Sequence, residues 1–391
     1  MSPASQVSTS VPIQGVCPDR FDKVRRAFIN NFEQRDDVGA TAAVYLHGEP
    51  VVDLWGGYFD ASRTRLWERD TIVNTFSTTK TMTALCVLML ADYGDVDLNA
   101  PVARYWPEFA QNGKSGVLVK HLLSHSAGLS GWEQPLSVEQ LCDIPYSTKL
   151  LEAQAPWWEP GTAIGYHPMT YGPLLGEIIR RVTGQSLGTF FRNEVAAPLG
   201  GDYHIGTGPE HDHRVSLMIQ SAPPRQRLND GSVSDRSFFN PYIMPQDSHR
   251  IAWRRTELGG SNGHGNARSV AAIQSVLSNG GEARGVRLLS RAGAERALDP
   301  QGEGIDLVFG MPFRWALGFG VSNAFADAAF GGRTAGRRIA FWGGSGGSIC
   351  LNDFDLGMTV AYVMNRHVEG SFDQRGLDIV IAAYDSINPR G

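Results

Sequence analysis

Between Asp19 and Gln34 the apolar residues Phe21, Val24, Phe28 and Phe32 recur every three or four positions. That period predicts an amphipathic helix. Two β-rich runs follow, ATAAVYL at 40–46 and PVVDLWGGY at 50–58, around His47-Gly48-Glu49; they read as a hairpin. The chain extends again near Asn74 to Phe76, then enters a Met-, Leu- and Ala-rich helical run at 78–93 that Gly94 stops. From about 95 to 255 the pattern is helices and loops, with helices predicted over 117–125, 170–183 and 187–195. Residues 225–250 are polar, Pro-bearing and without period, which predicts a long surface loop at a pocket mouth. A Gly-rich loop at 259–265 leads into a predicted helix at 267–279. Strands are expected at 316–321, 338–342, 348–352 and 358–365, and a last helix at 372–387.

Meandering connections of this kind imply an antiparallel sheet, because parallel neighbours need crossovers. The expected fold class is therefore α/β of the α+β type, an antiparallel sheet flanked by helices plus a mainly helical second domain. Residues 18–94 and 256–391 would build the sheet domain, and 95–255 the helical one. The active site would lie between them, and residues 1–17 would form a flexible tail.

Composition narrows the function. The chain has 391 residues, 42% hydrophobic and 19% charged, enough to bury a core. A formal charge of −5 argues against a nucleic-acid binder. The five lysines are Lys23, Lys80, Lys114, Lys120 and Lys149. Cys17, Cys86, Cys142 and Cys350 form no metal-ligand spacing, so no metal or cofactor is expected and the thiols read as reduced. No signal-peptide pattern is seen near the N-terminus, and the apolar run at 84–91 is too short for a membrane span. A cytoplasmic chain acting on a small molecule is the expectation; the oligomeric state is not specified.

The leading chemical candidate is Ser77-Thr78-Thr79-Lys80. On a helix, residues three apart share a face, roughly 5–6 Å between Cβ atoms. A lysine whose pKa is lowered by burial could then take the serine proton. Amides at the helix start would favour a developing oxyanion. Taken alone, the pair also fits a helix-capping serine with a solvated lysine.

The wider text resembles the family-VIII carboxylesterases of the serine β-lactamase and penicillin-binding-protein (DD-peptidase) superfamily, whose S-x-x-K opens a central helix. The stretches that carry the resemblance are Phe76-Ser77-Thr78-Thr79-Lys80, then Gly94-Asp95-Val96-Asp97-Leu98-Asn99-Ala100-Pro101, then Leu122-Leu123-Ser124-His125-Ser126-Ala127-Gly128. It extends from about residue 20 to 390. It implies that Tyr166, in Gly165-Tyr166-His167-Pro168, relays protons with Lys80, its phenol depressed by a neighbouring cation. It also implies that Phe341-Trp342-Gly343-Gly344-Ser345 is the strand bordering the substrate, with Trp342, Gly343 and Gly344 in contact with it and the amides of Ser77 and Ser345 forming the oxyanion hole. Two departures favour neutral esters over β-lactams: Trp342 replaces the family lysine that meets the β-lactam carboxylate, and Pro168 replaces an asparagine. The implied activity is ester hydrolysis, of short acyl chains, through an acyl-enzyme on Ser77. β-Lactam or peptide hydrolysis, acyl transfer and a non-catalytic binding role are the alternatives.

A rival nucleophile is Ser345 itself. It lies in a G-x-S-x-G string, with Asp355 and His367 following in the chain order of an α/β hydrolase. Such an elbow must pass from strand to helix, whereas the text after Ser345 is β-rich; 184–188 and 259–263 match the same string. His125 reads as a structural residue at a helix end, and His204, His211 and His213 suit a metal poorly. His264 is a weaker candidate to line the site. Trp132, Trp157, Trp158 and Trp253 are candidate walls of an acyl pocket.

Overall fold

The computed structural model describes residues 11–221, 223–369 and 373–387. Strand β1 (Ile13–Val16) and helix α1 (Asp22–Gln34) come first, then the hairpin β2 (Gly39–Leu46) and β3 (Glu49–Gly57), strand β4 (Ile72–Asn74) and helix α2 (Thr79–Tyr93). Helices α3 (Val119–Leu123), α4 (Val138–Cys142), α5 (Ile144–Ala153), α6 (Tyr171–Thr183) and α7 (Leu187–Phe190) follow. Next are the two-residue strands β5 (Val215–Ser216) and β6 (Ile219–Gln220), then α8 (Val233–Phe238), α9 (Ile251–Arg255), β7 (His264–Gly265) and α10 (Ala267–Ser278). A small hairpin, β8 (Glu282–Ala283) and β9 (Val286–Arg287), precedes α11 (Arg291–Glu295), β10 (Gly302–Ile305), β11 (Pro312–Trp315), β12 (Gly320–Val321) and α12 (Ala324–Ala329). The chain closes with β13 (Ile339–Gly343), β14 (Ile349–Asp353), β15 (Met358–Met364), β16 (Arg366–His367) and α13 (Gln374–Ile387).

Nine of the described strands form one sheet in the order β1-β3-β2-β15-β14-β13-β12-β11-β10. Every pairing in it is antiparallel. This is the expected fold class, α and β mixed around a large antiparallel sheet. The junction of chain beginning and chain end is β2 against β15, seven paired positions from Met358↔Leu46 to Met364↔Ala40. Every residue of β14 and β15 is buried, with the polar Asn352, Asp353 and Thr359 gathered at one end of the pair. Helix α10 packs on β2, β14 and β15, while α13 packs on β14, β15 and α1.

Helix α2 is buried from Thr79 to Ala91, as a helix apolar on all sides must be. Gly94 ends it in the left-handed conformation, φ 88°, which glycine adopts without a Cβ penalty. A three-stranded ribbon of β5, β4 and β7 fixes the approach to α2: Val73 pairs with Ser216 and with Gly265, and Asn74 with His264.

Several expectations need correction. Of the expected tail 1–17, residues 1–10 lie outside the described residues. Ile13–Val16 pairs with β3, because the free edge of the hairpin offers it a ladder of hydrogen bonds. The expected strand 316–321 is cut short. Ala316 to Phe319 makes a tight turn, its Gly318 at φ 93° against Ala84 of α2, and pairing resumes only at Gly320. The helix expected at 117–125 covers only Val119–Leu123, and that expected at 187–195 changes after Phe190 into a π-helical turn, Phe191–Ala196. The 225–250 segment contains α8 and a 3-10 turn at Pro245–His249. These short, half-buried elements, too brief to show a period, line a pocket instead of looping free.

Candidate active site

Ser77 is the one residue between Thr71 and Ala91 that is not buried. It sits in a 3-10 turn, Phe76–Thr78, at the entrance to α2. The residue before it, Phe76, has φ 44°, a left-handed conformation that costs a bulky residue roughly 1–3 kcal/mol. Packing holds it there. The Phe76 ring lies 6.5 Å from Trp253 and 5.7 Å from His367, and the Thr79 hydroxyl donates to the Phe76 carbonyl at 2.5 Å.

One helical turn on, Lys80 is 1% exposed. Its Nζ lies 3.2 Å from Ser77 Oγ and donates at 2.8 Å to two carbonyls, those of Pro168 and Gly260. No carboxylate pairs with it among the described residues, and burial lowers its pKa well below the ordinary lysine range. In its neutral form the amine would have two N–H donors for the two carbonyls and one lone pair for Ser77. The Gly260 carbonyl is brought in by close packing of backbones: a Cβ on Gly172 of α6 would lie 1.3 Å from the Leu258 carbonyl oxygen.

Tyr166 completes the group. It is buried, its ring centroid lies 4.7 Å from Lys80 Nζ, and its hydroxyl accepts from Trp342 Nε1 at 3.2 Å. Burial pushes its phenol above the ordinary range. Asp306 adds to that rise, and hydrogen bonds with Ser77 and Trp342 oppose it. The expectation of a depressed phenol is therefore corrected: desolvation outweighs the hydrogen bonds with Ser77 and Trp342, and the hydroxyl keeps its proton at pH 7. Burial likewise brings His167 down to about 3 and His125 well below the imidazole range, so both rings are neutral at pH 7.

The far wall is the end of β13. A Cβ on Gly344 would stand 2.0 Å from the Thr75 carbonyl oxygen, 2.5 Å from Ser348 Oγ and 3.1 Å from the Ser77 amide nitrogen. Only glycine allows this approach, which sets Gly343-Gly344-Ser345 beside Ser77. The turn after it is anchored by buried Arg375, whose Nη2 donates to the Gly346 carbonyl at 2.6 Å and whose Nη1 meets Asp37 at 2.6 Å. Ser77, Tyr166, Trp342, Gly343, Gly344 and Ser345 line one pocket, which the 225–250 segment roofs with Phe238, Tyr242 and Ile243.

A family model described as Beta-lactamase matches residues 28–384. The chain belongs to the beta-lactamase family. It is similar to the Esterase/beta-lactamase LipL of Mycobacterium tuberculosis, 33% identical over 90% of this chain and 82% of that protein. Esterase EstB of Burkholderia gladioli is 29% identical over 90% of this chain and 91% of that protein. Among solved structures, a family VIII carboxylesterase superposes with a TM-score of 0.90 at 39% identity, covering 96% of this chain and all of that one. The resemblance to the esterase branch of this superfamily, first carried by short motifs, thus extends over almost the whole chain.

Within this beta-lactamase-family site, the structure separates the remaining candidates. Ser345 Oγ does meet His367 Nε2, at 2.8 Å, but Asp355 accepts from the Arg338 amide at the opposite end of β13. Ser345 leads into β14 rather than a helix, so the elbow is not assembled. His125 packs against Tyr166, Tyr171 and Trp315 at 4.8, 5.1 and 4.5 Å, behind the site. His264 is fully buried outside the pocket lining. The His204 and His211 rings lie 4.1 Å apart, tilted by 36°, beside the Arg214–Asp202 ion pair. No group of three or more metal-ligating side chains occurs among the described residues. None of Trp132, Trp157, Trp158 and Trp253 lines the pocket. Trp253 lies behind Phe76, Trp132 in the helical core bonded to the Ser147 carbonyl, and Trp157 under Arg236; Trp158 donates to the Ala163 carbonyl. The indole of the pocket is Trp342. The sequence reading passed over Asp306 and the Pro168 and Gly260 carbonyls. A lone acid inside the apolar run Ile305-Asp306-Leu307-Val308-Phe309 was the available signal for the first, and backbone acceptors leave none.

Proposed function

We propose that the chain is a serine carboxylesterase that works through an acyl-enzyme on Ser77. Ser77 Oγ attacks the ester carbonyl carbon while its proton passes to the free lone pair of Lys80. The amides of Ser77 and Ser345 receive the negative charge that develops on the carbonyl oxygen, a contribution of about 3–4 kcal/mol per donor. The tetrahedral adduct collapses as Tyr166 gives its proton to the departing alkoxide and regains one from the Lys80 ammonium. Water then repeats the cycle in reverse order and releases the carboxylic acid. Lys80, 1% exposed and holding two carbonyls, is the observation that carries this reading. An ammonium would have no carboxylate partner among the described residues, and burial lowers its pKa well below the ordinary lysine range, which favours the neutral, basic amine.

Neutral, short-chain esters are the proposed substrates, in a cytoplasmic setting. Arg225 is the one lysine or arginine among the described lining residues. It is paired with Glu369 at 3.3 Å and stacked 4.0 Å over Phe238, which leaves no free cation for a β-lactam carboxylate. No helix among the described residues is long and apolar enough to cross a membrane.

Organophosphonate labelling followed by mass spectrometry of the digest tests the nucleophile. The label is expected on Ser77, and Ser77→Ala should lose both label and nitrophenyl-ester turnover while melting like the parent. A label on Ser345, or turnover retained in Ser77→Ala, would move the chemistry elsewhere. Cephalosporin cleavage as fast as short-ester cleavage would overturn the ester preference.

A further inference from the structure

Asp306 is fully buried, and no lysine or arginine hydrogen-bonds or ion-pairs with it among the described residues. Its carboxylate instead gathers four N–H donors. The Tyr166 amide donates at 3.1 and 3.0 Å to its two oxygens, the Val308 and Phe309 amides at 2.9 and 3.1 Å, and Trp315 Nε1 at 3.0 Å. The Val308 and Phe309 bonds are local and would be made by any aspartate turning its own loop. Those from Tyr166, 140 residues away, and from the Trp315 indole are not needed for a turn.

These donors share one feature. The Tyr166 ring stacks with Phe309, at 4.7 Å and 28°, and with Trp315, at 5.8 Å and 10°. One carboxylate therefore holds the tyrosine backbone and two residues whose rings stack with the tyrosine ring. The phenolic oxygen accepts from the Trp342 indole N–H at 3.2 Å, which leaves its own proton for Ser77. A buried acid without a cation is costly, and an amide in its place would turn an N–H group toward donors.

We propose that Asp306 is the positioning residue for Tyr166, fixing the phenol at the distance from which it exchanges protons with Ser77 and the leaving group. This rests on the reading of Tyr166 as proton carrier. Asp306 touches neither substrate nor reacting atoms and acts through the tyrosine alone.

The test is a double-mutant cycle on the full chain, with a short nitrophenyl ester as substrate and the rate of Ser77 phosphonylation as a second readout for slow variants. Asp306→Asn should lower kcat on the order of 100-fold, as misplacement of a reacting group by about 1 Å does, and leave KM within about threefold. In a Tyr166→Phe background the same substitution should change kcat by less than about threefold. An equal loss in both backgrounds, or parental kcat in a folded Asp306→Asn protein, would overturn the proposal. Should Asp306→Asn fail to fold, Trp315→Phe keeps a ring on the tyrosine and removes only the indole donor. A smaller loss that vanishes in the Tyr166→Phe background supports the proposal, and an equal loss in both backgrounds defeats it. If Tyr166→Phe alone keeps full activity, the tyrosine reading fails first and this inference falls with it.

Discussion

Adding one methyl group at Gly344 tests whether the end of β13 supplies the oxyanion donor. An alanine Cβ would lie 2.0 Å from the Thr75 carbonyl oxygen, where an ordinary contact is at least 3.4 Å and a tight one 3.0 Å. Ser348 Oγ, 2.5 Å away, can rotate aside. The Thr75 carbonyl cannot, because it belongs to backbone fixed by the Thr75 amide bond to Gly263 and by the Phe76 turn. Relief must come from β13, which has to retreat by about 1 Å. A hydrogen bond of about 2.9 Å from the Ser345 amide would then stretch to about 3.9 Å and cease to be one. Loss of one such donor costs about 10²–10³ in kcat, or 2.7–4 kcal/mol. KM should change little, because the ground-state carbonyl carries little charge. Overpacking should also cost about 1–3 kcal/mol of stability, readable as a lower urea midpoint with unchanged slope. Steady-state kinetics on a short nitrophenyl ester, with urea unfolding of the same preparation, measures both. A folded Gly344→Ala protein with kcat within threefold of the parent would refute the assignment of this strand end to the oxyanion.

The remaining predictions concern the amine and a helix. Lys80 has its pKa lowered by burial, and the active form is the neutral one, so kcat/KM should fall as pH drops through that lowered value. The Tyr166 phenol is raised, so no alkaline loss from it is expected below the ordinary phenol range. Lys80→Arg stays charged at every accessible pH and should lose about 10²–10⁴ in kcat; an unchanged acid limb in that variant would show that Lys80 is not the base. Gly176 sits inside α6, and a Cβ there would find only Leu187 atoms at 3.7 Å. Gly176→Ala should therefore stabilise the fold by about 0.5–1 kcal/mol in urea unfolding, and a lower midpoint would contradict the packing seen around α6.

Electrostatics inside the site follow from burial rather than from ion pairs. Lys80, His125, His167 and Tyr166 all shift toward their neutral forms, with desolvation the largest cause in each. Asp306 shifts the same way, with four N–H donors opposing it. The proton transfer proposed between Ser77, Lys80 and Tyr166 would thus start from a site holding little charge. A neutral ester enters such a site at less desolvation cost than an anionic substrate.

The sequence by itself determined the elements whose pattern is local. The period of Phe21, Val24, Phe28 and Phe32 specified α1, the runs around Gly48 specified the β2–β3 hairpin, and the strand text after residue 338 specified the meander. It also placed a serine and a lysine one turn apart at the head of an apolar helix, since i and i+3 share a face in any helix. Tertiary structure alone decided what that pair can do. The acceptors on Lys80 come from carbonyls 88 and 180 residues away, the acceptor for the Tyr166 amide is an acid 140 residues away, and Trp132, Trp157, Trp158 and Trp253 all lie outside the pocket lining. Side-chain periodicity encodes which face of an element is apolar. Protonation state and close backbone approach depend on which distant segments remove the water, and no local pattern carries that.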